Sequence, residues 1–260
     1  MKKFLVIMLT IACIFILLIG NHQWNEKVRV NSHSSTVLTE VKAKDHQQGE
    51  QTERMLDFAK NWPTDARNLF QVALDEGRPY EILIAGSPAL GTEPGGWSSI
   101  VKTELEKVYE DTVAVTIKEY DLTSQQVVEE KKHEELAAEK ADLILLEPFI
   151  LKDNGYVANE RSADYWTEMI DSIKAKKTDT IVILQPANPL SNAKYYPLQV
   201  EGLKAYTEAN RLPYLDHWSA WPKTEAEMRD YIELTRDPSF PNEKGHQVWA
   251  DYLIKYFISK

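Results

Sequence analysis

Short apolar runs alternate with amphipathic stretches from about residue 80 to the end of the chain. Runs with the length of buried strands occur at residues 81–85, 113–117, 141–146, 180–184 and 213–215. Between them, apolar residues recur at helical spacing, as in Trp97, Ile100, Val101, Leu105 and Val108. Because strands buried on both faces read as continuous apolar runs, this alternation predicts a parallel sheet with helices on both faces. We predict five strands and a closing helix over residues 243–258.

The N-terminus has a different pattern. After Lys2 and Lys3, an uncharged and mainly apolar run extends from Phe4 to Ile19. Its length lies between that of a signal-peptide core and that of a full membrane span, and no small-x-small cleavage site follows it. We therefore expect residues 1–20 to form an uncleaved signal anchor, a single membrane pass that leaves the bulk of the chain extracytoplasmic. A cleaved signal peptide, which would give a secreted protein, is the alternative.

The remainder divides into a polar segment and one domain. Residues 21–60 are rich in Gln, Ser, His and charge, which is typical of an extracytoplasmic stalk. Residues 61–260 are long enough for one α/β domain and carry 22 Lys and Arg against 34 Asp and Glu, a net charge of −12. That charge repels nucleic acid. The sequence has no HExxH motif, cysteine pair or glycine-rich phosphate loop, so neither a metal nor a cofactor is predicted.

Distinctive polar residues follow the predicted strands. In an open parallel sheet, functional groups gather beyond the carboxyl ends of the strands. Ser87 follows the first strand, and Asn154, Asn188 and His217 follow the third, fourth and fifth. The segment DPSFPNEKGH at residues 237–246 returns to the same edge just before the last helix. These positions are where the sequence predicts a site.

The order of these motifs resembles that of the SGNH (GDSL-type) hydrolases over about residues 80–259. The resemblance rests on Gly86-Ser87 at the end of the first strand and on D-x-x-x-P-N-x-x-G-H before the last helix. It implies a three-layer, flavodoxin-like α/β fold with a parallel five-stranded sheet. It also implies hydrolysis of a small ester, or of an acylated glycan or lipid, by a Ser-His-Asp triad. In that triad Ser87 is the nucleophile, Asp237 orients the histidine, and an Asn donates to the oxyanion.

The hydrogen-bond donors of the site depart from the family pattern. No Asp stands between Gly86 and Ser87, and residues 120–126 contain no glycine to supply a second backbone donor. Asn154 and Asn188 are the candidate oxyanion donors. Each residue also has a simpler interpretation, in which Ser87 caps a helix and the two Asn side chains only stabilise turns.

The most consequential departure is at the catalytic base. Phe240 stands where the family has its histidine, three residues after Asp237. A serine hydroxyl is a weak nucleophile without a neighbouring base, and a phenyl ring accepts no proton. His246 and His217 are the alternative bases. Both also have a structural interpretation, His246 as a residue that caps or packs the last helix and His217 as a hydrogen-bonded loop residue.

Two functions are compatible with this sequence. In the first, the protein is a membrane-anchored extracytoplasmic serine esterase or acylhydrolase with a degenerate triad, acting on acyl groups of cell-envelope polymers or lipids. In the second, it is a catalytically inactive pseudoenzyme that keeps the fold as a binding or scaffolding module. Esterase assays of the natural chain, Ser87→Ala and Phe240→His discriminate between them.

Overall fold

The structure, a computed structural model, describes residues 49–233 and 240–259. The chain divides into two units, Met1–Glu53 and Arg54–Lys260, and the fold described below is that of the second. The predicted signal anchor at residues 1–20, most of the predicted stalk and Asp237 lie outside the described residues. Within the described ranges, no helix combines the length and apolar character needed to span a membrane.

The centre of the second unit is a parallel sheet in the order β2-β1-β3-β4. Its strands are β1 (Tyr80–Gly86), β2 (Val113–Glu119), β3 (Leu143–Leu146) and β4 (Ile181–Leu184). These strands confirm four of the five predicted. The fifth prediction is wrong within the described part of the chain, because residues 213–215 contribute only an isolated parallel bridge between Tyr214 and Leu184. That segment is too short for a ladder, since a 3-10 turn begins at His217.

Helices connect the strands and pack on both faces of the sheet. They include α1 (Thr64–Glu76), α2 (Trp97–Tyr109), α3 (Ser124–Glu129), α4 (Lys132–Ala138), α5 (Ile150–Asp153), α6 (Asn159–Lys176), α7 (Tyr196–Asn210), α8 (Glu225–Met228) and α9 (Glu243–Phe257). α9 packs against α2, and α6 packs against α3, α4 and α7. α9 confirms the predicted closing helix to within one residue.

The continuous helical pattern that the sequence shows over residues 127–138 is interrupted in the structure. Lys131 adopts a left-handed φ of 60°, which ends α3 and starts α4 in a new direction. The turn carries His133 into the protein, where it is buried with Nδ1 3.3 Å from the carbonyl oxygen of Val127. The alternating charges of residues 129–140 indicate a solvated helix face and so predict a surface position for His133, and its burial shows that this prediction is wrong.

The core extends from an aromatic cluster at the start of the sheet to a ring stack at its carboxyl end. In the cluster, the rings of Trp62, Phe70, Tyr80, Tyr109 and Phe257 contact one another. In the stack, Trp249 of α9 lies between Trp97 of α2 and His217, at ring-centroid distances of 4.5 and 4.1 Å. The stack holds α2 and α9 beside the edge where the sequence predicts a site. The folded unit also includes Met55 and Ala59, both fully buried, so it begins before residue 61.

Candidate active site

Ser87 directly follows β1 at the carboxyl edge of the sheet. It is 1 % exposed and precedes the 3-10 turn Pro88–Leu90. Its hydroxyl makes no capping hydrogen bond to this turn, so the interpretation of Ser87 as a helix cap is not supported. Oγ has no regular hydrogen bond to any described residue. Since buried hydroxyls are usually hydrogen-bonded, this one requires an explanation.

The polar group that contacts Ser87 belongs to Glu147, the residue that follows β3. The backbone N–H of Ser87 donates a hydrogen bond to Oε2 of Glu147 at 2.8 Å. The carboxyl group is fully buried, and its Oε1 has no partner among the described residues. Burial raises the pKa of Glu147 to about 7, an effect that the contacts with Ser87 partly offset. This carboxyl group therefore changes protonation state near neutral pH.

Strand register brings the two residues together. Three residues lie side by side on neighbouring strands, namely Gly86, Glu147 and Gln185. Glu147 and Gln185 each stand one position beyond the last paired residue of β3 and β4. A Cβ atom on Gly86 would lie 2.8 Å from Cβ and 2.9 Å from the carbonyl oxygen of Glu147. Only glycine leaves room for Glu147 at this position.

More buried polar groups lie around Glu147. Gln185 accepts a hydrogen bond from Nε1 of Trp249 at 3.1 Å, while its own Nε2 has no partner in the described part of the protein. Tyr196, at the start of α7, is buried and its hydroxyl also lacks a described partner. Burial, and secondarily the nearby Glu147, raises the pKa of Tyr196. Buried polar atoms without partners are uncommon and mark places where water or a ligand binds.

The two candidate oxyanion donors differ in their surroundings. Asn188 is fully buried after β4, and its Nδ2 donates to the carbonyl oxygen of Pro189 at 3.2 Å. Asn154 is half-buried at the end of α5, where it is the C-cap residue. Asn188 is thus held in the buried edge of the sheet, whereas Asn154 lies at a helix end.

Lys152 and Asp153, the last residues of α5, both have structural partners. Asp153 is buried and accepts hydrogen bonds from the backbone N–H and the hydroxyl of Ser124 and from the hydroxyl of Ser162, at 2.6–2.7 Å. Lys152 forms a salt bridge of 2.6 Å with Asp121. The Asp153 contacts tie α5 to α3 and α6, and the Lys152 salt bridge ties α5 to the loop after β2, so both residues hold the backbone in place.

His217 is a packed core residue. Its Nδ1 accepts a hydrogen bond from Nε1 of Trp221 at 3.0 Å, which leaves the proton on Nε2 to be donated to the carbonyl oxygen of Pro186 at 2.9 Å. Burial lowers the pKa of His217 to about 3. Because both ring nitrogens are engaged, His217 has no free lone pair for a serine proton.

His246 lies in the first turn of α9 and caps the N-terminus of α2. Its Nδ1 accepts the backbone N–H of Trp97, the first residue of α2, at 3.3 Å. The ring packs so closely on Gly91 that a Cβ atom there would lie 2.5 Å from Cε1. Burial lowers the pKa of His246 to about 4. His246 therefore caps α2 as a neutral imidazole, where the sequence predicts a cap for α9.

Phe240 is half-buried and packs against the hydrophobic core. Its backbone is held by a hydrogen bond from the N–H of Glu233 at 2.8 Å, and the next residue, Pro241, bridges Ile232. Asn242 then caps α9 by accepting the backbone N–H groups of Lys244 and Gly245. The backbone at residue 240 is thus firmly positioned, while the predicted acid Asp237 lies outside the described residues.

The architecture is that of the SGNH (GDSL-type) hydrolases, which confirms the resemblance at the level of the fold. Similar solved structures include a catalytic mutant of the acetylxylan esterase Axe2 from Geobacillus stearothermophilus (15% identity, TM-score 0.55, covering 68% of this chain and 94% of that chain). Others are a GDSL-like lipase from Bacteroides thetaiotaomicron (13%, 0.51, 74% and 96%) and the psychrotrophic esterase EstA from a Pseudoalteromonas species (14%, 0.52, 67% and 94%). No protein-family model and no curated protein sequence matches the chain.

Sequence reasoning missed Glu147, Gln185 and Tyr196. A usable signal was present for Glu147, because an acidic residue that directly follows a wholly apolar strand lies at the carboxyl edge, where functional groups gather. Gln185 stands at the same position after β4. Tyr196 has no comparable signal, since its burial depends on how α7 packs.

Proposed function

We propose that the protein is an extracytoplasmic serine ester hydrolase of the SGNH type, anchored to the membrane by its N-terminal segment. Its substrates are acyl groups on cell-envelope polymers or lipids. The observation that carries the proposal is Ser87, whose hydroxyl follows β1 at the carboxyl edge and has no regular hydrogen bond to a described residue. This is where a nucleophile stands in the fold that the chain shares with known esterases and lipases.

The burial of Ser87 bears on the choice of substrate. With only 1 % of the residue exposed, a short acyl group reaches Oγ with less rearrangement than a long one. We therefore expect acetyl esters to react faster than long-chain esters. The membrane anchor in this proposal rests on Lys2, Lys3 and the apolar run that follows them.

A second function, a pseudoenzyme that binds without catalysis, is favoured by one specific observation. In the family resemblance Phe240 stands at the position of the base. Both ring nitrogens of His217 are hydrogen-bonded, and Nδ1 of His246 accepts the Trp97 N–H, which leaves the proton on its Nε2. A serine without a base retains only the contributions of binding and of the oxyanion hole. In this case the buried polar cluster around Glu147 would hold a ligand that is not turned over.

An esterase assay distinguishes the two functions. The full-length protein is purified in detergent, and hydrolysis of p-nitrophenyl acetate is compared for the natural chain, Ser87→Ala and the exposed-serine control Ser219→Ala. The proposal predicts hydrolysis that Ser87→Ala abolishes and Ser219→Ala leaves unchanged. Hydrolysis at the rate of the buffer alone, from folded protein, would establish the pseudoenzyme.

A further inference from the structure

The geometry points to Glu147 as the general base that activates Ser87, in the role that Phe240 cannot fill. This inference rests on the proposed esterase function. It begins from the hydrogen bond between the Ser87 N–H and Oε2 of Glu147, which fixes a carboxyl group beside the nucleophile. Contacts with the side chain and the backbone of Ser87 lower the pKa of Glu147, although Oγ makes no regular hydrogen bond to a described residue. Such contacts are often long before substrate binds and tighten in the reacting complex.

The other titratable groups around the site are unsuited to the role. His217 and His246 use ring nitrogens in structural hydrogen bonds. Asp153 accepts three hydrogen bonds, two from Ser124 at the start of α3 and one from Ser162 of α6. Tyr196 has a raised pKa and stays protonated. Glu147 retains an oxygen, Oε1, with no partner among the described residues.

The orientation of Glu147 is built into the sheet. In a Ser-His-Asp triad, the acid holds the imidazole in the correct position. Here the strand register brings Glu147 beside Gly86, and the absence of a side chain on Gly86 leaves room for the Glu147 carboxyl group. The Ser87 N–H then holds one of its oxygens by a hydrogen bond. A separate orienting acid is therefore unnecessary.

The proton balance of the reaction is complete with these two residues. Ionised Glu147 takes the hydroxyl proton as Ser87 Oγ attacks the ester carbonyl carbon. The tetrahedral intermediate collapses, the bond to the alcohol oxygen breaks, and protonated Glu147 returns its proton to the leaving alcohol. Water then attacks the acyl-serine, passing a proton through Glu147 to Ser87 Oγ, and the carboxylic acid leaves. The net reaction consumes one ester and one water.

The pKa of Glu147 suits a general base that acts near neutral pH. A general base acts best when its pKa lies close to the working pH. Burial raises the pKa of Glu147 to about 7, and the facing carboxyl group of Asp153 on α5 raises it further. Tyr196 on α7 is the other titratable group that interacts with Glu147. An ordinary exposed carboxylate would be a much weaker base.

The test measures p-nitrophenyl acetate hydrolysis by the full-length natural chain, Glu147→Gln and the control Glu81→Gln. Glutamine keeps the shape of Glu147 and still accepts the Ser87 N–H, whereas Glu81 lies at the opposite end of β1. We expect Glu147→Gln to lower kcat about 10²- to 10⁴-fold and Glu81→Gln to leave it unchanged. In the natural chain, kcat/KM should rise with pH through about 7, and this step should be absent in Glu147→Gln.

Two further outcomes separate this inference from the proposed function. Adding Phe240→His to Glu147→Gln should restore activity, because an imidazole then replaces the carboxylate, and recovery also shows that the variant folds. If activity depends on Ser87 but Glu147→Gln retains full kcat and the pH step, the inference is overturned and the proposed function stands. If the natural chain has no activity that depends on Ser87, both are overturned.

Discussion

The backbone nitrogen of Ser87 and Oε2 of Glu147 are 2.8 Å apart, and this hydrogen bond joins the ends of two neighbouring strands. It links the candidate nucleophile to a carboxyl group with a pKa of about 7. Because Glu147 is fully buried, the bond is protected from competition by solvent. The position of Ser87 therefore depends on the side chain of Glu147 as well as on its own strand.

The space beside Glu147 gives a first prediction. Gly86→Ala would place a methyl group 2.8 Å from Cβ of Glu147, so we expect a loss of about 1–3 kcal/mol in the free energy of unfolding. Esterase activity should fall as well, because Ser87 is the next residue. Gly202→Ala on α7 is the matched control: a Cβ there meets nothing within 4 Å, and helix propensity favours alanine. Urea unfolding checks both variants, and equal stability of the two would contradict this account of Gly86.

The ionisation of Glu147 predicts a pH-dependent stability. Its pKa is raised by burial from 4.5 to about 7, so the folded state binds the proton more tightly than the unfolded state. The stabilisation is complete below about pH 4.5 and is lost as the pH rises through about 7. Glu147→Gln removes this dependence, so its stability relative to the natural chain should increase by about 3 kcal/mol across that range. A pH-independent difference in urea unfolding would show that the carboxyl group is not perturbed in this way.

Restoring the triad histidine gives a third prediction. The backbone of residue 240 is held by Glu233, and the bridge between Pro241 and Ile232 holds the next position. An imidazole at position 240 should therefore be presented in the place the family uses. We expect Phe240→His to raise the kcat for p-nitrophenyl acetate at least about tenfold, a small part of what a positioned base contributes.

The double variant Phe240→His with Ser87→Ala is the control for this gain. Its activity should fall to that of Ser87→Ala alone, because a repaired triad needs its nucleophile. If the gain persists without Ser87, the new histidine acts by itself. If His246→Ala or His217→Ala abolishes the activity of the natural chain, the base has moved to one of those residues and our interpretation of Glu147 is wrong.

The N-terminal segment gives a fourth prediction. Lys2 and Lys3 precede the apolar run, and no cleavage site follows it, so the intact chain should sediment with membranes. Protease added from outside should degrade the domain. If the main species is instead a secreted form that begins near Asn21, the segment is a cleaved signal peptide.

The sequence predicts the sheet well because each of β1 to β4 contains a short apolar run, the pattern typical of buried strands. Residues 213–215 look similar but form a single bridge, since strand pairing depends on the length of the neighbouring ladder and on the turn at His217. The break at Lys131 is also invisible in the periodicity, because one left-handed residue leaves the spacing of apolar positions unchanged.

The candidate site is predicted less completely. Ser87 can be recognised because it follows a strand within a motif. Glu147 cannot be paired with it without the strand order, since β3 lies next to β1 in space although β2 follows β1 in sequence. Pro186, which accepts from His217, and Trp97, which donates to His246, likewise lie in distant segments, so these contacts become visible only in the folded protein.

The most direct test of the central claim is covalent labelling of Ser87 in the full-length protein by a small alkyl fluorophosphonate. Such a reagent reacts with a serine only when a base activates the hydroxyl. Intact-mass and peptide analysis should show one adduct, on Ser87, which forms faster one pH unit above the Glu147 pKa of about 7 than one unit below it. The Ser87→Ala variant should remain unlabelled. A folded natural chain that stays unlabelled at Ser87 across this range would contradict the account and leave the protein a binding module.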